Sequence, residues 1–118
     1  MKQNLIQNKT FSFSLLIISL YKQLQIEREY VVSKQILRSA TSIGANVEEA
    51  IAGQSRKDFI HKMSISLKEA RETHYWLRLL DKSELTSIDV SNHLVKSDEI
   101  ISILSAIVKT TKSRTNNS

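Results

Sequence analysis

Asp58-x-x-His61 is the nearest match in the chain to the carboxylate and imidazole pair that helical bundles use to hold two metal ions. Such a centre needs inward carboxylates on several helices and a second pair of the same kind. This pair stands alone, and Asp58 already has a role in the first turn of a helix, so no metal site is expected. Glu69 and Glu72, three residues apart on one helical face, have the spacing of a paired acid and base. Lys68 lies four residues before Glu72 and Arg71 lies between the two acids, which favours an ion-pair network over catalysis. A covalent nucleophile has no setting: Cys is absent, no Ser sits in a Gly-x-Ser-x-Gly turn, and no glycine-rich phosphate loop exists. His74 falls on an apolar stripe and reads as a hydrogen-bonded structural histidine, whereas His61 and His93 read as exposed. These residues argue against an enzyme and imply no cofactor.

Asn46 and Glu49 lie in a helix weakened by small side chains, Ser39-Ala-Thr-Ser-Ile-Gly-Ala-Asn46. Two readings are open for them. They form a polar face, or they make buried hydrogen bonds to Arg38 or Arg71 that fix helix register at some cost in stability. Gly44 alone costs about 1 kcal/mol of helix propensity relative to Ala, and a close approach by another backbone would compensate. The segment is therefore predicted to be a tight helix crossing. Tyr75 and Trp76 suit the edge of a core or a subunit interface, where a ring packs and its polar atom stays bonded, and base stacking on them has no support beyond residue type.

The elements that must position these residues are helical. The chain has 118 residues, no Pro, two Gly, 41% apolar and 25% charged residues, which suits one all-α domain without staples. Phe13, Ile17, Leu20 and Leu24 mark a first helix from about Thr10 to Glu27, widened by Leu16, Ile18 and Tyr21 beyond what one monomer core covers. Ser33 is the expected N-cap of a second helix that carries Ile36, Ala40, Ile43 and Val47 to about Ile51, with Gly53 as a left-handed stop. Ser55 caps a third helix, whose stripe is Ile60, Met63, Leu67, Ala70, His74 and Leu77, ending near Asp81. Thr86 or Ser87 caps a fourth, with Asp89 in its first turn and Leu94, Ile101, Leu104 and Val108 as its stripe. Short connectors predict an antiparallel up-down-up-down four-helix bundle over residues 10–112, with flexible ends at 1–9 and 113–118. The apolar run Phe11–Leu20 is too short to span a membrane and lacks a signal-peptide cleavage site, which points to the cytoplasm.

The formal net charge is +5, from 17 basic and 12 acidic residues. Lys2, Lys9, Lys109, Lys112 and Arg114 supply the whole excess, so the body is neutral and any basic patch on it must come from segregation. Phosphate contacts are accordingly expected from Lys109, Lys112 and Arg114, or, on the body, from Arg56, Lys57, Lys62, Arg71 and Arg78.

The stretch Val32-Ser-Lys-Gln-Ile-Leu-Arg-Ser-Ala-Thr-Ser-Ile-Gly-Ala-Asn-Val-Glu-Glu-Ala50, with Asp58-Phe59 and Lys68-Glu-Ala-Arg-Glu-Thr-His-Tyr-Trp-Leu77, resembles the bacterial 23S ribosomal RNA intervening sequence proteins. That resemblance implies an antiparallel four-helix bundle assembled as a ring-shaped homopentamer, with no catalytic residue and no cofactor. Some members of that family are encoded within insertions in ribosomal RNA genes, and a similar bundle is an accessory protein to a reverse transcriptase. The first helix has no charge between Lys9 and Lys22, which speaks against a basic groove along it. Two functions follow as expectations: a homo-oligomeric module that binds RNA or a nucleic-acid-processing protein, or a structural protein-interaction module.

Overall fold

The computed structural model describes the backbone of residues 2–117 and the side chains of residues 5–114. Four helices make up the chain: α1 (Lys2–Ile26), α2 (Val32–Ala52), α3 (Arg56–Lys82) and α4 (Ser91–Asn117). They form a rod with extents of 52 × 22 × 22 Å. Each helix packs on two neighbours in the cyclic order α1, α2, α3, α4, and among the described residues no diagonal pair touches. As numbers rise along α2 they fall along α3: Ser39 meets Thr73, Ile43 meets Ser66 and Glu49 meets Lys62. Gln7 with Glu48 and Gln25 with Ser33 show the same for α1 and α2, and Glu27 with Thr86 and Lys9 with Glu99 show it for α1 and the chain entering α4. The helices are antiparallel, as the short connectors predict.

The small-residue segment of α2 lets its neighbours approach on both sides. Toward α1, a Cβ built on Gly44 would lie 3.5 Å from the Thr10 carbonyl oxygen and 3.6 Å from Ser14 Oγ. Toward α3, Ser66 Oγ donates to the Ile43 carbonyl at 2.8 Å, and the buried hydroxyls of Ser39 and Thr73 share a hydrogen bond at 2.7 Å. Buried hydroxyls are thereby satisfied across the crossing, at little cost. The expected crossing is present, and the core line of α3 runs through Met63, Ser66, Ala70, Thr73, Leu77 and Leu80. Ser66 and Thr73 were hidden from a reading that followed apolar residues alone.

Helix boundaries depart from expectation in five places. The first helix starts at Lys2, not near Thr10, because Ile6 is buried one heptad before Phe13 and Thr10 turns its hydroxyl back to the Ile6 carbonyl at 2.8 Å instead of capping. Residues 113–117 likewise continue α4. Ser33 does not cap α2. The Glu29 carboxylate does, accepting from the amides of Val31, Val32 and Ser33 at 3.2, 2.8 and 2.7 Å. Gly53 is extended (φ −67°, ψ 160°), so it is no left-handed stop; the Ala50 carbonyl, 3.2 Å from a built Cβ, leaves little room for a side chain there. α4 starts at Ser91, after Thr86 and Ser87, because Thr86 is spent on Glu27 and on the Ile88 amide while the Asp89 carboxylate accepts from Ser91 N at 2.9 Å. That amide bond holds the Asp89 carboxyl below the usual carboxylate range. Ser55 caps α3 as expected, accepting from the Asp58 amide at 3.1 Å.

Candidate functional site

Helix α3 has two faces offset by one residue. Its core line is buried, and the line at Lys57, His61, Ser64, Lys68, Arg71, Tyr75, Arg78 and Lys82 steps by four and three residues along the opposite side. Seven of these eight positions are exposed, Ser64 being half-buried. The line holds five cations and no carboxylate over about 37 Å of helix. Among the described residues, Lys57, Lys68, Arg71 and Arg78 have no carboxylate within 4.0 Å, and Lys82 sits 3.7 Å from Asp81.

The nearest acids are turned aside. Glu69 and Glu72 bind Arg38 of α2: the Arg38 guanidinium lies 3.4 Å from Glu69 and is hydrogen-bonded to Glu72. Gln35 accepts from Arg38 Nε at 3.2 Å, and Trp76 Nε1 donates to Glu72 at 3.0 Å. The two carboxylates thus form an ion-pair network, with Arg38 as its cation in place of Lys68 or Arg71. Tyr75, 50% exposed, stands edge-on to Trp76 with centroids 5.4 Å apart and planes at 67°.

The other expected contacts separate into groups. Lys62 is paired with Glu49 at 2.8 Å, which removes it from the open set; Glu49 is exposed and makes no buried bond to Arg38 or Arg71. Asn46 is buried but bonds within its own helix, donating to the Ser42 carbonyl and hydroxyl at 2.8 and 3.1 Å, so it does not fix register between helices. Arg56 and Arg114 line one depression of about 410 Å³ where the end of α2, the start of α3 and the end of α4 converge. Lys109 and Lys112 are exposed on α4 at that same end of the rod.

The histidines differ from expectation in one case. His61 is exposed, and His74 bonds Asp98 of α4 at 3.1 Å. His93 is half-buried with no partner for Nδ1, and burial pushes its pKa below the ordinary imidazole value. Among the described residues, no group of three or more acidic or imidazole side chains is placed to hold a metal ion, and no helix is long and apolar enough to cross a membrane.

The family described as 23S rRNA-intervening sequence protein matches residues 2–106, which takes in nearly all of the four helices. The chain belongs to that family. A solved structure from Bacteroides thetaiotaomicron, described as a protein with unknown function from the S23 ribosomal protein family, is similar at 49% identity and a TM-score of 0.87. The alignment covers 92% of this chain and 99% of that one. The comparison with curated proteins gave no match. Neither description names an enzymatic activity, and this intervening sequence protein has its charge segregated on α3, outside its core.

Lys68, Lys82 and His61 were missed as members of the site, and Tyr75 was considered for stacking on residue type alone. The signal was available: a stripe at four-and-three spacing implies a complementary stripe one residue on, and here that second stripe is basic.

Proposed function

We propose that this intervening sequence protein is a non-catalytic, cytoplasmic, homo-oligomeric module that binds RNA through phosphate contacts along the outer face of α3. The observation that carries this reading is the row Lys57, Lys68, Arg71, Arg78 and Lys82, which has no carboxylate among its own positions, on a body that is neutral as a whole. Segregation of this kind lowers the cost of bringing a polyanion to the surface and leaves its cations free to displace counterions. Arg56, Lys109, Lys112 and Arg114 extend the attraction around one end of the rod.

Self-association is part of the reading. Phe11 and Leu15 lie one turn apart on α1 and are 61% and 55% exposed, a poor arrangement for an isolated monomer in water. A homopentamer, as the family resemblance implies, would cover them and repeat the α3 row around a ring. Weak contacts would then act together. The same two side chains favour the second reading, a structural module that docks another protein.

Titration of fluorescent RNA at two salt concentrations tests the proposal. Wild type should bind with a steep salt dependence. Replacing Lys68, Arg71 and Arg78 by Gln should weaken binding for all sequences and reduce the slope of log K against log salt by about 2 for a single strand. Absence of binding at low salt would favour the protein-docking module.

A further inference from the structure

Tyr75 lies between the two arginines of the basic row and is its one Phe, Tyr or Trp. Arg71 precedes it by four residues and Arg78 follows it by three, so the flanking guanidinium groups rise from the helix about 6 Å and 4.5 Å to either side along the axis. The ring leans on a braced neighbour. Trp76 is tied by its indole N–H to Glu72, Glu72 is held by Arg38, and Arg38 is braced by Gln35 and Glu69. The edge-on contact with Trp76 therefore rests on a network that spans α2 and α3, while half of the Tyr75 surface remains open to solvent. A ring backed by a held neighbour loses less freedom on binding than one with no support, which favours an exposed aromatic as a platform.

We infer that Tyr75 is a base-stacking platform and that the nucleic acid along α3 is single-stranded, an inference that rests on the phosphate-binding reading of the same face. A cation on each side of a π surface suits a strand whose phosphates run along the helix and whose unpaired base turns inward. Stacking of this kind tolerates any base because each has a π face, and Arg planes beside the ring add to it. In a duplex the base faces are already stacked on one another, so only the cations would be used. A straight row of side chains on one helix also follows one strand more readily than two.

Trp76 is the single tryptophan of the chain and touches Tyr75, so its emission reports on the platform. The test uses the full chain at low salt with three probes: an oligouridylate, an abasic chain with the same number of phosphates, and duplex RNA. Wild type should bind the oligouridylate most tightly, with a change in Trp76 emission that the abasic chain does not produce. Tyr75→Ala should lose about 5- to 150-fold in affinity for the oligouridylate, the range for one stacked base, with no change for the abasic chain. Tyr75→Phe should bind as wild type does. Equal affinity of Tyr75→Ala and wild type for the oligouridylate would overturn the platform and leave the phosphate reading standing. Failure of all three probes to bind wild type would overturn the phosphate reading and the platform together.

Discussion

The crossing of α1 and α2 at Gly44 makes a quantitative prediction in two directions. A Cβ at this position would meet the Thr10 carbonyl oxygen at 3.5 Å and both Ser14 Oγ and the Thr10 carbonyl carbon at 3.6 Å, all ordinary van der Waals distances. Alanine therefore fits without movement and regains the helix propensity that glycine forfeits, about 1 kcal/mol in a helix interior. Gly44→Ala should raise stability by up to that amount. Anything longer must grow into the backbone of α1, which is not the end of a flexible side chain and yields only if the two helices separate. Gly44→Leu should destabilise the bundle by about 1 to 3 kcal/mol, the usual cost of overpacking. At this chain length each kcal/mol corresponds to a shift of about 4 °C in Tm. Thermal melts of the three proteins at one fixed concentration should thus rank Ala above Gly above Leu, with the fixed concentration needed because self-association also raises Tm. A leucine variant that melts with wild type would show that the crossing opens freely, and an alanine variant that melts well below it would show that the backbones are closer than this packing allows.

Three further outcomes follow from the termini and seams. Glu29→Ala removes the carboxylate that accepts from three amides at the start of α2 and should cost about 1 kcal/mol in urea unfolding, whereas Ser33→Ala should leave those three amides satisfied. Burial depresses the His93 pKa, so on acidification the unfolded chain takes up the proton first; the contribution to stability is whole above about pH 6.5 and falls as pH drops through that value. His93→Gln should remove that part of the fall, read as the difference between the two proteins' melts at neutral and mildly acidic pH, and equal pH dependence of the two would refute it. The Lys9 ammonium, by hydrogen bond and charge, holds the Glu99 carboxyl below the usual range, and Lys9→Met should let the Glu99 resonance titrate at higher pH in an NMR series.

Much of the fold was legible because apolar spacing is a local signal. Phe13, Ile17, Leu20 and Leu24 announced α1, and the run of small residues around Gly44 announced the crossing. Two kinds of information were not local. The caps depend on which polar side chain reaches the free amides, and Glu29 does so from before the turn while Ser33, a better cap by residue type, donates its hydroxyl to the Glu29 carbonyl at 2.6 Å. Buried hydroxyls depend on a partner helix: Ser66 and Thr73 have no place in an apolar stripe until Ile43 and Ser39 of α2 are brought against them. The candidate site failed in the same way. Arg71 and Arg78 were identified singly, but Lys68 looked like a partner for Glu72, and only the capture of Glu72 by Arg38 frees the row around Tyr75.

The charge excess shows what connectivity adds to composition. Lys2 and Lys9 lie at one end of the sequence and Lys109, Lys112 and Arg114 at the other, about a hundred residues apart. With four antiparallel helices, the start of α1 and the end of α4 arrive at the same end of a rod 52 Å long, beside Arg56 and Lys57 at the start of α3. Lys9 is drawn off by Glu99 across the α1–α4 seam, and Lys109, Lys112 and Arg114 lie at the end from which the row climbs α3. An even number of antiparallel helices must return both termini to one end, so segments that read as dispersed tails become one pole of the molecule. On the proposed reading, a polyanion approaching from solution meets that pole first and continues along the face of α3 that carries Tyr75. Salt should therefore act on the pole and the row in series: screening at the pole slows association, while loss of contacts along the row shortens the life of the complex. Removal of residues 109–118 should lower the association rate most, since among the described residues the last buried side chains of α4 are Ile107 and Val108 and the bundle keeps that core. Gln substitutions at Arg71 and Arg78 should raise the dissociation rate most. A truncation that changed dissociation alone would place the bound strand on the pole and not on α3.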